Sequence, residues 1–335
     1  MKKFLFLAIA AAAMTSCSQD EVLEVAQKQA ISFGNAFVGN STRAAVDPSY
    51  TTDENATNGK QLETIKVYGA VEDVETDSYV NIFNGVTVKK NNKANGVAWD
   101  QTDGDTQYWV AGANYIFDAV VDANKVNTGA DGLPTSLEYD ATLETQTDML
   151  HCRVTKTGQA SNNPVVAFTF NHLLSKVKFT ALNTTAAGIA DYRFTVTDIV
   201  IGNAYKSGKY AVVEQTVDDK EIAAGEWFAL VSNGTHSIAD LEVASNSTVE
   251  CAKEVLLIPG ASVSITFNLN VQIKKGETWE TINVIPVSKE DVVTLEANNA
   301  YNFKVEYGIG GQILFTANEM SGWETQDDIS VYPAN

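Results

Sequence analysis

Apolar and polar residues alternate over short runs along most of this chain. In the run LETIKVYGAV, residues 62–71, Ile65 and Val67 fall on one side and Lys66 falls between them. Side chains of a β-strand point alternately to its two faces, so this pattern is typical of a strand with one buried face. No long segment carries apolar residues at the spacing of a helix. The sequence therefore predicts an all-β protein with many short strands.

The run AISFGNAFVG, residues 30–39, is the first of these apolar segments after the N-terminal region. Ile31, Phe33 and Phe37 are predicted to share one face of a strand, and Asn35 interrupts the alternation. Large apolar side chains on one face are expected to enter a core. We therefore expect this first strand to belong to the N-terminal part of the fold.

A polar loop follows this strand and contains the stretch GNSTRAAVDP. Arg43 is the only basic residue between Lys28 and Lys60, and its neighbours are small. Exposed and extended loops are preferred sites of proteolysis. Arg43 is therefore a candidate cleavage site for an arginine-specific protease, and the alternative is an ordinary surface arginine.

The chain begins with two lysines, an apolar stretch and small residues that end at Cys17. Residues 1–16 have the features of a secretory signal and are too short to span a membrane. Because the small residues end at a cysteine, the segment resembles a bacterial lipoprotein signal, in which that cysteine carries the lipids. The alternative is plain secretion. Asp20 and Glu21 resemble the surface-export signal of some outer-membrane lipoproteins.

The 335 residues, of which 44% are hydrophobic, are sufficient for two cores of ordinary size. A faint repeat supports this division, because ISFGNAFVG and TIKVYGAV are echoed by LLSKVKFTAL and VTDIVIGNA. We expect two similar sandwiches, 44–165 and 166–335. The net charge of −19, with no basic patch, argues against a nucleic-acid partner.

Few residues are arranged for chemistry. The histidines at positions 151, 172 and 236 lie at no metal-ligand spacing, so we expect structural roles and no metal. A turn is the expected role of Asp100, Asp103 and Asp105, which lack the spacing of a calcium loop. The sequence predicts no cofactor and no enzyme. Cys152 and Cys251 could form a disulfide or remain buried thiols, and thiols are favoured.

Three stretches carry a resemblance to a known family: FTFNHLLSKVKFT (168–180), VLLIPG (255–260) and ILFTANEMSGWE (313–324). Together with the lipoprotein start and the arginine loop, they make the chain similar to the fimbrillin, or type V pilin, family. The resemblance covers nearly the whole chain. It implies two tandem transthyretin-like Greek-key β-sandwiches and a structural role as a pilus subunit.

The resemblance also implies an assembly route. The precursor would be anchored to the outer membrane through Cys17 and exposed at the cell surface. An arginine-specific maturation protease would cut after Arg43, so that Ala44 becomes the new N-terminus. The cut would release the propeptide 17–43 with its strand, including Ile31, Phe33 and Phe37. The open groove would be filled by another subunit, which would build a head-to-tail fimbrium.

The candidate donor segment for this exchange is DDISVYPAN, residues 327–335, in which Ile329 and Val331 share one face. Pro333 is expected to end its backbone pairing. The alternative function is a tip or accessory adhesin that binds a host glycan or protein. The position of residues 327–335 distinguishes the stalk subunit from the adhesin. A segment packed against its own sandwich favours the adhesin, and a free, extended segment favours the stalk subunit.

Overall fold

The computed structural model describes residues 29–38, 50–51, 60–73, 75–93, 96–142, 146–252, 254–309 and 311–320. Every regular element in these ranges is a β-strand, which confirms the all-β prediction. Within the described residues there is no helix with the length and apolar character needed to cross a membrane.

The strands are numbered in chain order. The first eleven are β1 (Phe33–Val38), β2 (Tyr50–Thr51), β3 (Lys60–Gln61), β4 (Thr64–Asp73), β5 (Ser78–Lys93), β6 (Gly96–Gln101), β7 (Asn114–Val121), β8 (Lys125–Thr128), β9 (Pro134–Asp140), β10 (Leu150–Thr157) and β11 (Val166–His172). The next seven are β12 (Ser175–Asn183), β13 (Tyr192–Ala204), β14 (Ser207–Ala211), β15 (Gln215–Val217), β16 (Lys220–Ile222), β17 (Trp227–Val231) and β18 (Gly234–Ile238). The remaining strands are β19 (Leu241–Ala244), β20 (Ser247–Glu250), β21 (Val255–Leu257), β22 (Ser262–Lys275), β23 (Thr278–Thr294), β24 (Ala300–Tyr307) and β25 (Leu314–Met320).

Seven strands of the N-terminal half form one sheet that closes on itself, in the order β1-β11-β10-β7-β4-β5-β6. The alternation seen in the sequence explains its interior, because every second residue of a strand faces inward. In β4, Ile65 and Val67 are buried while Lys66 is exposed. The interior is rich in aromatic rings, among them those of Phe83 and Phe117. Closure leaves this sheet with no free edge as long as β1 is in place.

Two sheets form the C-terminal half. One has the order β18-β13-β22-β23 with β19 also paired to β13, and the other has the order β20-β12-β24-β25 with β21 also paired to β12. Rings from both sheets meet between them: Phe267 lies 5.6 Å from Phe179 and 6.1 Å from Phe315, centroid to centroid. These rings belong to a larger buried cluster, mostly of aliphatic side chains, that packs the two sheets together.

A further sheet joins the two halves, with the order β17-β14-β9-β8. Its strand β9 comes from the N-terminal half and pairs with β14 over five residue pairs. The side chain of Gln146 reinforces this junction, because its amide accepts from the Leu256 backbone N–H at 2.9 Å and donates to the Leu256 carbonyl at 2.8 Å. The halves are therefore linked by backbone pairing and by a buried amide.

The chain passes from the closed sheet to the C-terminal sheets at Leu173 and Leu174, which are both buried. Strand β11, residues 166–172, pairs with β1 and β10 in the closed sheet. The expected division after residue 165 would place this strand in the second unit. The two-domain division stays a prediction, and in the structure the strands of the closed sheet extend to His172.

Candidate functional site

Strand β1 completes the closed sheet, because it lies between β11 and β6. It pairs in parallel with β11 from Phe33 opposite Val166 to Val38 opposite Phe170. On its other edge it pairs with β6 at one position only, Phe33 opposite Trp99. The strand is thus held along one whole edge and at a single point on the other edge.

Two side chains anchor β1 and the residues before it in the interior. Ile31 is 6% exposed and Phe33 is 5% exposed. The Phe33 ring contacts three others, with centroid distances of 5.5 Å to Phe83, 6.4 Å to Phe117 and 6.1 Å to Phe168. Burial of a large apolar side chain contributes roughly 1.5–3 kcal/mol, so the two anchors together contribute about 3–6 kcal/mol.

The pairing of β1 with β11 is interrupted at one residue. The register shifts between Gly34 and Ala36, so Asn35 is the extra residue of a bulge. This is the position at which the sequence pattern breaks. A bulged residue is left out of the hydrogen-bond ladder, so the local strand geometry tolerates residues that cannot pair there. The side chain of Phe37 lies outside the described residues, so its predicted place on the inward face stays a prediction.

A side-chain amide clamp fixes the segment just before β1. Gln29 Nε2 donates to the Asn163 carbonyl at 2.7 Å, and the Asn163 backbone N–H donates to Gln29 Oε1 at 2.7 Å. Asn163 is itself held, because its Oδ1 accepts from the Gln159 backbone N–H at 2.6 Å. Asn163 is only 7% exposed. Two reciprocal bonds in a nearly buried setting tie the N-terminal segment to the loop that precedes β11.

Backbone hydrogen bonds extend this attachment on both sides. The Ile31 N–H donates to the Gln107 carbonyl at 2.8 Å, and the Trp109 N–H donates to the Gln29 carbonyl at 2.9 Å. On the opposite edge, the Val166 N–H donates to the Ser32 carbonyl at 2.8 Å. These groups would be left without partners if the strand were removed, and unpaired strand edges favour the addition of another strand.

Little space is left for a side chain at Gly34, on the outward side of β1. A Cβ atom at this position would lie 3.1 Å from Val165 Cγ2 and 3.4 Å from Val165 Cβ. Val165 is 49% exposed, so its side chain can move away from a larger neighbour. The groove that β1 fills therefore has an aromatic interior and a movable apolar side chain at its outer rim.

Buried charges outside the groove are structural. Asp118 is fully buried and accepts hydrogen bonds from His151 Nε2 at 2.8 Å, from Arg153 Nε at 2.9 Å and from Arg153 Nη2 at 2.7 Å. His172 Nδ1 lies 2.7 Å from Asp148 Oδ2, and both side chains are fully buried. His151 and His172 thus each have a carboxylate partner more than twenty residues away in sequence, which residue spacing could not reveal. The third histidine, His236, has a pKa lowered by burial.

The described residues contain no group of three or more His, Cys, Asp or Glu side chains placed to hold a metal ion. Asp103, one of the aspartates of the predicted turn, accepts from the backbone N–H of Thr87 at 2.5 Å and from its hydroxyl at 2.7 Å. The Thr87 hydroxyl bond is the main cause of a lowered pKa at Asp103. Cys152 and Cys251 are free thiols, as the favoured alternative had it, but only Cys251 is buried and Cys152 is partly exposed.

Several predicted site residues lie outside the described residues: Cys17, Arg43, Ala44, Ile329 and Val331. Two described strands lie close to these residues in sequence. Strand β1 ends at Val38, five residues before Arg43, and β25 ends at Met320, nine residues before Ile329. The structure thus describes the strand before the predicted cut and the strand from which the tail continues.

Comparison with known proteins places residues 42–323 in a match to the family described as Fimbrillin-like. A fimbrial protein from Bacteroides vulgatus ATCC 8482 is similar in structure, with a TM-score of 0.52, 11% identity and coverage of 88% of this chain and 99% of that one. A protein from Bacteroides uniformis ATCC 8492, provisionally assigned to cell adhesion, has a TM-score of 0.49, 16% identity and coverage of 89% and 99%. No curated protein matches the chain.

Proposed function

Because this chain belongs to the Fimbrillin-like family, we propose that it is the precursor of a pilus subunit that polymerises by strand exchange. The predicted family resemblance is confirmed. The family is one of structural and adhesion proteins, so the chain is not an enzyme. In the proposal, the closed sheet and the C-terminal pair of sheets correspond to the two tandem transthyretin-like sandwiches of a pilin.

The precursor is anchored to the outer membrane by lipid on Cys17 and is exposed at the cell surface. An arginine-specific protease cuts after Arg43 and leaves Ala44 at the N-terminus. Two observations support this site. Strand β1 ends five residues before Arg43, so a cut there separates the whole strand from the rest of the chain. The family match begins at residue 42, two residues before the proposed new N-terminus at Ala44.

The observation that carries the proposal is the asymmetric attachment of β1. The strand closes the sheet, yet it pairs with β6 at Phe33 alone. Its removal opens a groove between β6 and β11, and the pairings among the other six strands of the closed sheet do not involve it. The opened groove loses two buried anchors, Ile31 and Phe33, and leaves backbone groups of β11 unpaired. A strand from another subunit, with residues 327–335 as the candidate, can replace both. Because each copy both receives and offers a strand, the polymer grows head to tail.

The test is a limited digest with an arginine-specific protease. The protein digested comprises residues 18–335, so it contains the first strand and Arg43 but lacks Cys17. The other arginines are protected by their partners: Arg153 is bonded to buried Asp118, and Arg193 pairs with Glu242 and lies 4.3 Å over the Trp279 ring. We expect one early cut, after Arg43, followed by a ladder of high-mass species on an unboiled denaturing gel.

The matched control is Arg43→Lys, which keeps the charge and removes the residue that the protease recognises. This variant should stay intact and monomeric under the same digest. A wild-type chain that resists the protease, or is cut and remains monomeric, would contradict the stalk function. In that case the alternative, a tip or accessory adhesin, would be tested by screening glycans and host proteins.

A further inference from the structure

The C-terminal tail contains the same apolar–serine–apolar order as the segment that it is proposed to replace. Residues 31–35 read Ile-Ser-Phe-Gly-Asn, and residues 329–333 read Ile-Ser-Val-Tyr-Pro. In both segments two apolar residues flank a serine, which is the sequence pattern that puts two apolar side chains on one face of a strand. In β1 and the residues before it, this face is the buried one.

A second observation fixes the direction of the match. When Ile329 is aligned with Ile31, Pro333 falls on Asn35. That residue is the extra one in the bulge between β1 and β11, where the pairing is interrupted. Proline has no N–H to donate and is tolerated in sheets at bulges and edges. The alignment therefore places the only proline of the tail at the one position of the groove where pairing with β11 is broken.

The same alignment exposes a difference in size. Val331 takes the place of Phe33, whose ring touches the rings of Phe83, Phe117 and Phe168. Valine is smaller than phenylalanine, so the aromatic pocket is filled less completely by the tail. At the outer rim, Tyr332 takes the place of Gly34 beside Val165, whose 49% exposure allows it to move.

We infer that residues 329–335 of a second copy enter the groove in the same direction as β1, with Ile329 at the Ile31 position, Val331 in the aromatic pocket and Pro333 at the bulge. This inference rests on the proposed strand exchange. It makes the outgoing strand the better-fitting occupant of the aromatic pocket. The tail can then replace β1 only after the strand has been cut free and has dissociated.

A pair of cysteine substitutions reports the direction of the incoming strand. A Cβ at position 34 lies 3.4 Å from Val165 Cβ, close to the Cβ–Cβ separation of about 3.5–4.5 Å found in disulfides. In the inferred direction Tyr332 occupies that position. In the reverse direction, with Val331 at the Ile31 position, Asp328 occupies it. The two test proteins are therefore Val165→Cys with Tyr332→Cys and Val165→Cys with Asp328→Cys.

Both double variants, begun at residue 18, are digested with the arginine-specific protease and then oxidised mildly. We expect the variant with Tyr332→Cys to give covalent dimers and larger species on a non-reducing, boiled gel, and the variant with Asp328→Cys to give none. The single variants report any background from Cys152 and Cys251. Covalent species only with Asp328→Cys, or with neither variant although polymer forms, would overturn the inference. If the wild type forms no polymer, the proposed function itself fails.

The size difference gives an independent test. Val331→Phe should fill the aromatic pocket and slow dissociation of the polymer about tenfold. Ser330→Phe adds the same ring to the opposite face and should not slow dissociation. Both rates are measured by dilution of preformed polymer, followed by light scattering. Equal effects of the two variants, or no effect of Val331→Phe on a wild-type-like polymer, would show that Val331 does not occupy the pocket.

Discussion

Replacement of Phe33 by alanine should destabilise the uncut precursor strongly. Phe33 is 5% exposed and its ring contacts three other rings at 5.5–6.4 Å. Truncation of a buried phenylalanine to alanine costs about 3–5 kcal/mol, because transfer energy is lost and a cavity remains. Ser32→Ala is the matched control. Ser32 is exposed and its backbone carbonyl, which accepts from Val166, is unchanged, so the expected effect is within about 0.5 kcal/mol.

The assay is urea unfolding of the precursor begun at residue 18, followed by tryptophan fluorescence. Phe33→Ala should lower the midpoint without a large change in the slope of free energy against urea. After digestion at Arg43 and removal of the released segment, variant and wild type become the same chain and must unfold identically. A cost below about 1 kcal/mol in the uncut precursor would refute the argument that Phe33 anchors the first strand.

Three further predictions concern other contacts. Gln29→Ala removes the amide clamp to Asn163 and should destabilise the precursor by about 1–2 kcal/mol and speed release of the first strand after cleavage, measured by mass spectrometry of the unbound peptide. Equal release rates would contradict it. Asp118→Asn removes the buried carboxylate charge that binds the partly exposed Arg153 and the buried His151, and it should lower the free energy of unfolding in urea by about 1.5–3 kcal/mol. A negligible cost would show that this carboxylate is not needed for stability. The pKa of His236 is lowered by burial, so its contribution to stability is present above the ordinary histidine pKa of about 6.5 and is lost as the pH falls toward the folded-state value. His236→Gln should reduce the change in the free energy of unfolding with pH below about pH 6.5. An NMR titration midpoint of His236 at or above about 6.5 would contradict a lowered pKa.

The sequence predicted an all-β fold and the burial of Ile31 and Phe33, because strand periodicity is a local property. Ile31 and Phe33 are buried as the alternation indicated. The pairing partners could not be read in the same way. Strand β1 pairs in parallel with β11, more than a hundred residues away, and Gln29 meets Asn163 at a separation of 134 residues. Such contacts depend on the whole topology and leave no periodic signal.

The buried charges were missed for a related reason. Asp118 forms hydrogen bonds with His151 and Arg153 because β7 and β10 are neighbours in the closed sheet. Asp118 and His151 are 33 residues apart in sequence, which is the spacing of no known motif. Strand β12 also departs from simple alternation. It is buried along almost its whole length and includes Lys176, whose Nζ lies 3.3 Å from Glu254 Oε2. A lysine in a strand normally indicates a solvated face, and here a buried carboxylate accompanies it.

The sheet that joins the halves has a consequence for the shape of a polymer. Because β9 of the N-terminal half is paired with β14 and Gln146 is bonded to the backbone of Leu256, a rotation of one half against the other would break these bonds. In a head-to-tail polymer of the proposed kind, the rotation from one subunit to the next is the sum of a fixed angle inside the subunit and an angle at the contact. The pitch of the filament then depends partly on the angle between the two halves of each subunit. Substitutions in the sheet that joins the halves would change the filament's helical symmetry although they lie outside the contacts between subunits.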